Sequence, residues 1–114
     1  MTAASSTQKY PLLGTHFVLD EEKILREGKY DLEKMYSLID EIAKHSGMIK
    51  IDKNTYHCKG DKNDLGCLGV FVNCNLVECD WFTLNVKEWL WLSEKEGDSD
   101  LISFFKKEKE GVWQ

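Results

Sequence analysis

Cysteine and histidine are the residues of this sequence best suited to metal or nucleophilic chemistry. The chain contains Cys58, Cys67, Cys74 and Cys79, and His57 directly precedes the first of them. Structural zinc sites usually take paired ligands separated by two to four residues. The cysteines here are separated by eight, six and four residues, and no C-x-x-C is present. We therefore predict four reduced thiols, no metal site and no cofactor.

A cysteine nucleophile would need a base within hydrogen-bond reach of its thiol. His57 adjoins Cys58 on a predicted strand, where neighbouring side chains point to opposite faces of the sheet. His16 and His45 remain as candidate bases, but nothing in their spacing selects either one. The sequence accordingly predicts a protein that is not an enzyme and has no catalytic residue.

Two carboxylates could support a different chemistry. Glu78 and Asp80 fall on a predicted strand with one residue between them, which would place them on the same face roughly 7 Å apart. That separation permits general acid and base catalysis on a glycoside, or shared metal binding. Water-exposed sheet faces also carry such pairs routinely. We interpret these two residues as part of an acidic contact surface.

The densest run of acids lies between the last two predicted helices, at Glu94, Glu96, Asp98 and Asp100. Its spacing superficially resembles a calcium loop. The glycine and the terminal glutamate of an EF-hand do not fall in register. The run therefore predicts a solvated turn.

Composition limits the class of protein. The chain has 114 residues, of which 42% are hydrophobic and 31% charged, as expected for one globular domain. Residues 1–10 are small and polar, which predicts a flexible N-terminal tail. No apolar run approaches the roughly 20 residues that span a bilayer, and no secretory signal is present. We expect a cytoplasmic protein that does not bind membranes.

The charge balance bears on the partner. The formal net charge is −5 and Arg26 is the single arginine. Arginine is the residue that best recognises phosphate and guanine, so its scarcity in a negatively charged chain argues against nucleic-acid binding. A negative field favours a basic partner or serves solubility alone.

The pattern of apolar residues predicts an α+β fold with two N-terminal helices, a small antiparallel sheet of two hairpins, and two C-terminal helices. The first two helices should cover residues 20–28 and 31–47, where Asp31 can cap the second and Gly47 can end it. The hairpins should follow at 48–59 and 68–84, joined by a polar loop at 60–66. The last helices should cover 85–96 and 98–110, the latter capped by Asp98 or Ser99.

The block from Cys67 to Leu92 should form the core. It holds three of the four tryptophans between two strongly charged flanks. In the predicted second hairpin, strand alternation turns Cys79 and Trp81 inward and Glu78 and Asp80 outward.

An acidic helical pair (DEEKILREG and YDLEKMYSLIDEIAKHSG), joined to an aromatic α+β core without a catalytic signature, resembles the immunity proteins of bacterial contact-dependent inhibition systems and related toxins. The resemblance covers the size, charge and texture of residues 17–114. It implies a specific complex with a cognate toxin domain, often a basic nuclease, whose active site or substrate path is blocked.

In such a complex, surface carboxylates would replace the phosphate charge that a nuclease recognises, and exposed aromatic rings would serve as anchors. We predict that the partner-binding residues are Glu78, Asp80, Glu88, Trp91, Glu94, Glu96 and Trp113. Two alternatives stay open: a small adaptor or complex subunit, and a zinc- or carboxylate-dependent enzyme. The oligomeric state is not predicted.

Overall fold

The computed structural model describes residues 10–114, which form an α+β domain around one antiparallel sheet. Apart from Tyr10, the predicted N-terminal tail lies outside the described residues. The sheet has five strands in the order β2-β3-β1-β4-β5. The strands are β1 Leu13–Leu19, β2 Ile49–Asp52, β3 Thr55–His57, β4 Val86–Ser93 and β5 Ser99–Asp100.

Five α-helices accompany the sheet: α1 Glu21–Glu27, α2 Leu32–Ser46, α3 Asp64–Gly69, α4 Asp80–Thr83 and α5 Leu101–Lys107. Between α3 and α4 the chain forms a π-helix, Val70–Asn75, and a 3₁₀ turn, Leu76–Glu78. Within the described part of the chain, no helix has the length and apolar character needed to cross a membrane.

The two predicted N-terminal helices are confirmed. The Asp20 and Asp31 side chains accept hydrogen bonds from backbone N–H groups in the first turns of α1 and α2. Gly28 and Gly47 end the helices in the left-handed conformation that glycine adopts most easily. The first hairpin, β2–β3, is confirmed as well.

The central strand, β1, was not predicted. It pairs with β3 on one side and with β4 on the other, along a register that runs from Leu13↔Ser93 to Leu19↔Val86. Thr15, Phe17 and Leu19 are buried while the residues between them are only partly buried. This period of two was present in the sequence and marks a strand with one covered face.

The predicted helix over 85–96 is wrong, because most of this segment is strand β4. Its leucines and tryptophans also fit a helical period. Valine and tryptophan favour strands, however, and pairing along the whole of β1 decides the outcome. The segment is a strand because of a partner more than sixty residues away in sequence.

The predicted second hairpin over 68–84 is also wrong, because this segment is helical. Four apolar residues of this segment are fully buried, and they follow one another in sequence at steps of three, one and four, which is a helical period. They are Leu68, Phe71, Val72 and Leu76. Glu78 and Asp80 therefore share no strand face. They lie at the end of the 3₁₀ turn and the start of α4, so the predicted separation of 7 Å does not apply.

Two smaller predictions also need correction. The loop predicted at 60–66 contains the beginning of α3. The final helix is confirmed, but its cap is Asp100, whose Oδ1 accepts hydrogen bonds from the backbone N–H groups of Ile102 and Ser103. Asp98 instead accepts a hydrogen bond from the Ser93 backbone N–H.

The core lies between the sheet and the helical cover, and aromatic rings dominate it. Phe17 from β1 and Trp89 from β4 both pack edge-on against Phe82 of α4, with ring centroids 5.5 and 4.9 Å apart. Tyr56 of β3 packs on Phe71 in the same way at 5.3 Å. The block predicted as core thus supplies three of these five rings. Two of them come from helical segments and one from a strand, whereas the block was predicted to be a hairpin followed by a helix.

Candidate protein-interaction surface

Trp91 lines an open apolar groove between β4 and α5. The groove has a volume of about 280 Å³ and is also lined by Asn73, Ser99, Leu101 and Phe104. Trp91 is half-buried, and Phe104 is 48% exposed. We call this set of residues the Trp91 groove. The groove offers a partner two aromatic side chains: Trp91, which was predicted to be an anchor, and Phe104, which was not.

Glu78 and Asp80 are both exposed and flank Cys79, directly before Trp81. Trp81 is half-buried rather than fully packed inward as predicted, and its ring meets Phe82 edge-on. The tryptophan lines a second apolar groove of about 210 Å³, which we call the Trp81 groove. Its other lining residues are Tyr30, Asp31, Lys34, Met35 and Leu38.

The Trp81 groove combines the two features expected of the predicted surface. Tyr30 and Leu38 are 39% and 37% exposed, so large apolar side chains face solvent there. Carboxylates stand close by in sequence, with Asp31 lining the groove and Asp80 adjoining its tryptophan. The groove thus has aromatic side chains and a carboxylate, but none of the predicted partner-binding residues lines it, and Lys34 adds a positive charge.

Glu88 is exposed on β4, where it pairs with Val18. Its neighbour Trp89 is fully buried under the helices, so Glu88 points to the opposite face of the sheet. That face also carries the half-buried Leu90 and Leu92. Glu88 is thereby separated from the helical grooves by the thickness of the sheet.

Glu94 and Glu96 occupy the turn after β4 and are exposed. Glu94 has a structural role, because its Oε1 accepts a hydrogen bond of 3.0 Å from the Leu12 backbone N–H. The backbone N–H of Glu96 donates to Ser93 Oγ at 3.0 Å, which closes the turn. Glu94 lies six positions beyond Glu88 along the extended chain, roughly 20 Å away.

Trp113 is half-buried and faces inward. Its ring lies 6.4 Å from that of Trp89, centroid to centroid, and its Nε1 donates a hydrogen bond of 2.8 Å to the Glu110 carbonyl. The ring also lies 3.2 Å from where a Cβ of Gly111 would stand. These contacts hold the last residues of the chain against the sheet.

The predicted residues therefore do not converge on one patch. Glu78 and Asp80 precede β4 in the chain, at the end of the 3₁₀ turn and the start of α4, whereas Glu94 and Glu96 follow it. Sequence reasoning missed Tyr30, which precedes the cap of α2, and Leu38, which the helical period of α2 leaves outside the core stripe.

Ion pairing leaves the predicted carboxylates available. Among residues 10–114 the ion pairs join Arg26 to Glu22, Lys50 to Asp40 and Lys53 to Glu21. None involves the five acidic residues predicted to bind a partner. These are Glu78, Asp80, Glu88, Glu94 and Glu96.

Cys58 and Cys79 are poorly placed for nucleophilic chemistry. Burial raises the pKa of Cys58 to about 12, and the neighbouring charge of Asp64 adds to the shift. Burial also raises the pKa of Cys79, with the charges of Asp80 and Glu78 acting in the same direction. A raised pKa leaves little thiolate at neutral pH.

Two of the three histidines lie within hydrogen-bond distance of groups other than thiols. His16 Nδ1 lies 2.8 Å from the Thr55 hydroxyl, and His45 Nδ1 lies 2.8 Å from the Glu41 carbonyl. Within the described ranges, no three His, Cys, Asp or Glu side chains converge as a metal site would require. Neither contact joins a histidine to a thiol, although His45 and Cys67 line one cavity.

No protein-family model, curated protein or solved structure matches this chain. Its function is therefore inferred from its own surfaces.

Proposed function

We propose that this chain is an immunity protein, which binds a cognate toxin domain and blocks it through surface carboxylates placed beside exposed aromatic residues. The observation that carries the proposal is the state of the five predicted acids. All are exposed, and none forms an ion pair with another described residue.

Unpaired surface carboxylates are well suited to a basic partner. They keep their hydration while the protein is free, and they attract a positively charged domain during encounter. The net charge of −5 adds a long-range field of the same sign. A nuclease domain, which must attract phosphates, would present the complementary positive surface.

Aromatic residues would supply most of the binding energy. Tryptophan and tyrosine are enriched among the residues whose loss weakens protein interfaces most. The Trp81 groove has both residue types, and Glu78 and Asp80 lie near its tryptophan in sequence. We therefore favour this helical surface as the main contact, with the Trp91 groove as a second one.

The test is co-expression with the toxin domain encoded beside this gene. We expect the chain to protect the cells and to co-purify with that domain. In a binding assay, the pair Glu78→Lys and Asp80→Lys should weaken the complex by at least about tenfold, which corresponds to about 1.4 kcal/mol. Tyr30→Ala should weaken it as well, with no loss of fold.

The matched control reverses two other exposed acids, Glu108→Lys and Glu110→Lys, which lie near α5 and carry the same change in charge. This control should reduce affinity much less at moderate salt. Equal losses in both double variants would show that only the overall field matters. Failure to protect against or bind the neighbouring toxin would reject the immunity function and favour the adaptor alternative.

A further inference from the structure

The face of the sheet that points away from the aromatic core carries two of the chain's three histidines, His16 on β1 and His57 on β3. Both are half-buried. Thr15 and Phe17, which flank His16, are buried in the core, and so is Tyr56, which precedes His57. Because side chains alternate along a strand, both imidazoles point to the other side, which we call the outer face of the sheet.

The register between β1 and β3 brings the two imidazoles side by side. His16 pairs with Thr55 and His57 pairs with Gly14, so the histidines are diagonal neighbours on the two strands. Such neighbours lie about 7–8 Å apart, within reach of aromatic side chains. Each ring leans towards the other strand. His16 Nδ1 lies 2.8 Å from the Thr55 hydroxyl, and His57 Cδ2 lies 2.8 Å from where a Cβ of Gly14 would stand.

Gly14 explains how the His57 ring reaches β1. Glycine weakens a strand interior, and it often marks a place where another group approaches the backbone closely. At position 14 that group is the imidazole of His57, and a Cβ there would also lie 2.5 Å from the Tyr56 carbonyl oxygen. The missing side chain thus leaves room for a histidine ring beside His16.

The contact with Thr55 orients His16 for binding. It holds Nδ1, and no residue among 10–114 forms a hydrogen bond with the other ring nitrogen, Nε2. Histidines that bind metal ions usually have this arrangement, in which a polar neighbour holds one ring nitrogen and the other binds the ion. Asp52 pairs with Thr55 in the sheet, so a carboxylate lies on the next strand. A negative charge at that distance favours a cation.

We propose that His16 and His57 bind a divalent transition-metal ion such as Zn²⁺, through one ring nitrogen each. Imidazole is a common ligand of Zn²⁺, whereas Mg²⁺ and Ca²⁺ prefer oxygen. A structural zinc site takes four protein ligands. Among residues 10–114 no three His, Cys, Asp or Glu side chains converge, so this site is an open one with two protein ligands. Its other positions are available to water, and the site is independent of toxin neutralisation.

The test is an NMR titration of the whole chain with zinc chloride under reducing conditions, read from the ring nitrogens of the histidines. We expect the resonances of His16 and His57 to shift together and saturably, and those of His45 to stay unshifted. Magnesium chloride should shift none of them. His57→Asn should weaken zinc binding at His16 by at least about tenfold, and Thr55→Val should do the same through the lost orienting contact. His45→Asn is the matched control and should leave the affinity unchanged.

Three results would overturn the proposal. The first is no saturable shift of His16 and His57 at millimolar zinc. The second is an equal shift of His45, which would mean that zinc binds any imidazole of the chain. The third is an unchanged affinity of His16 in His57→Asn, which would mean that the two rings do not bind one ion. The comparison of the three histidines in the wild type stands alone if a variant does not fold.

Discussion

The Tyr56 hydroxyl donates a hydrogen bond to Asp40, which joins β3 to α2 at the edge of the core. The tyrosine is 1% exposed, and burial together with the neighbouring carboxylate raises its pKa. Burial opposes ionisation of Asp40, but the hydrogen bonds from Tyr56 and Lys50 outweigh it and hold the pKa of that carboxyl below its usual value. The bond therefore depends on a neutral phenol and an ionised carboxylate.

Tyr56→Phe should lower the free energy of unfolding by about 1.5–3 kcal/mol at neutral pH, the range for a hydrogen bond to a charged group. The lowered pKa of Asp40 means that its contribution is present above the ordinary value of 3.8 and disappears as the pH falls through the folded value. The raised pKa of Tyr56 means that its contribution is lost as the pH rises beyond 10.

Urea unfolding across the pH range measures this. The difference between wild type and Tyr56→Phe should be largest at neutral pH and should shrink in acid. A difference that stays constant through the titration of Asp40 would assign the loss to packing instead.

Thiol reactivity gives a second prediction for individual residues. Cys74 is exposed, whereas Cys58 is buried and its pKa is raised to about 12. Alkylation of the native protein followed by mass spectrometry should therefore label Cys74 first and Cys58 only after unfolding. Cys74→Ser should remove the fast phase. Rapid labelling of Cys58 in the native state would contradict its burial.

At the scale of elements, the pairing of β1 with β4 organises the sheet, and a buried threonine supports it. Thr15 is fully buried. Its hydroxyl donates to the Leu90 carbonyl at 2.7 Å and accepts from Trp89 Nε1 at 3.0 Å. One side chain thus satisfies a polar atom of the largest core residue and a backbone carbonyl of the neighbouring strand.

Thr15→Val keeps the shape of the side chain but removes this hydroxyl, so it leaves the indole N–H of Trp89 buried without an acceptor. We expect a loss of about 1–3 kcal/mol in the free energy of unfolding, measured by urea denaturation. Thr15→Ser is the matched control, since it keeps the hydroxyl and should cost less. The reverse order would show that the methyl group matters more than the hydrogen bonds.

The elements that could be predicted from sequence are those fixed by local chemistry. α1 and α2 begin at capping aspartates and end at glycines, and both signals lie within the segment itself. Whether the β4 segment forms a strand or a helix depends on its pairing with β1. That strand is distant in sequence and was not predicted. The segment from Leu68 to Leu76 was mispredicted for another reason. A short buried apolar segment fits a strand or a helix equally well until the spacing of its apolar residues is counted.

At the scale of the whole molecule, the sequence indicated which carboxylates are exposed but not which of them lie close together. Two features of the fold decide the grouping: β4 is extended, which separates Glu88 from Glu94, and the segment before it is helical, so Glu78 and Asp80 share no strand face. Buried Asp64 was hidden for a related reason. Its loop resembled a solvated connector, and only the tertiary structure shows that Asp64 is 5% exposed and accepts hydrogen bonds from the backbone N–H groups of Gly60 and Asp61.

The last residues of the chain close the molecule across α1 and β4, and this gives a prediction for Trp113. Gln114 Nε2 donates to the Val86 carbonyl at 3.1 Å, and Lys23 Nζ donates to Gln114 Oε1 at the same distance. Trp113 packs on Trp89, which is fully buried. Trp113→Ala should therefore uncover part of the core and lower the free energy of unfolding by roughly 2 kcal/mol, less than for a fully buried tryptophan.

Phe104→Ala is the comparison, because Phe104 is largely exposed in the Trp91 groove. It should change stability little and weaken binding of the partner, whereas folded Trp113→Ala should bind with nearly unchanged affinity. Denaturation and binding measured on the same two variants separate these roles. A large loss of affinity with intact stability in Trp113→Ala would instead place that ring in the interface, because its internal contacts would then contribute little to folding.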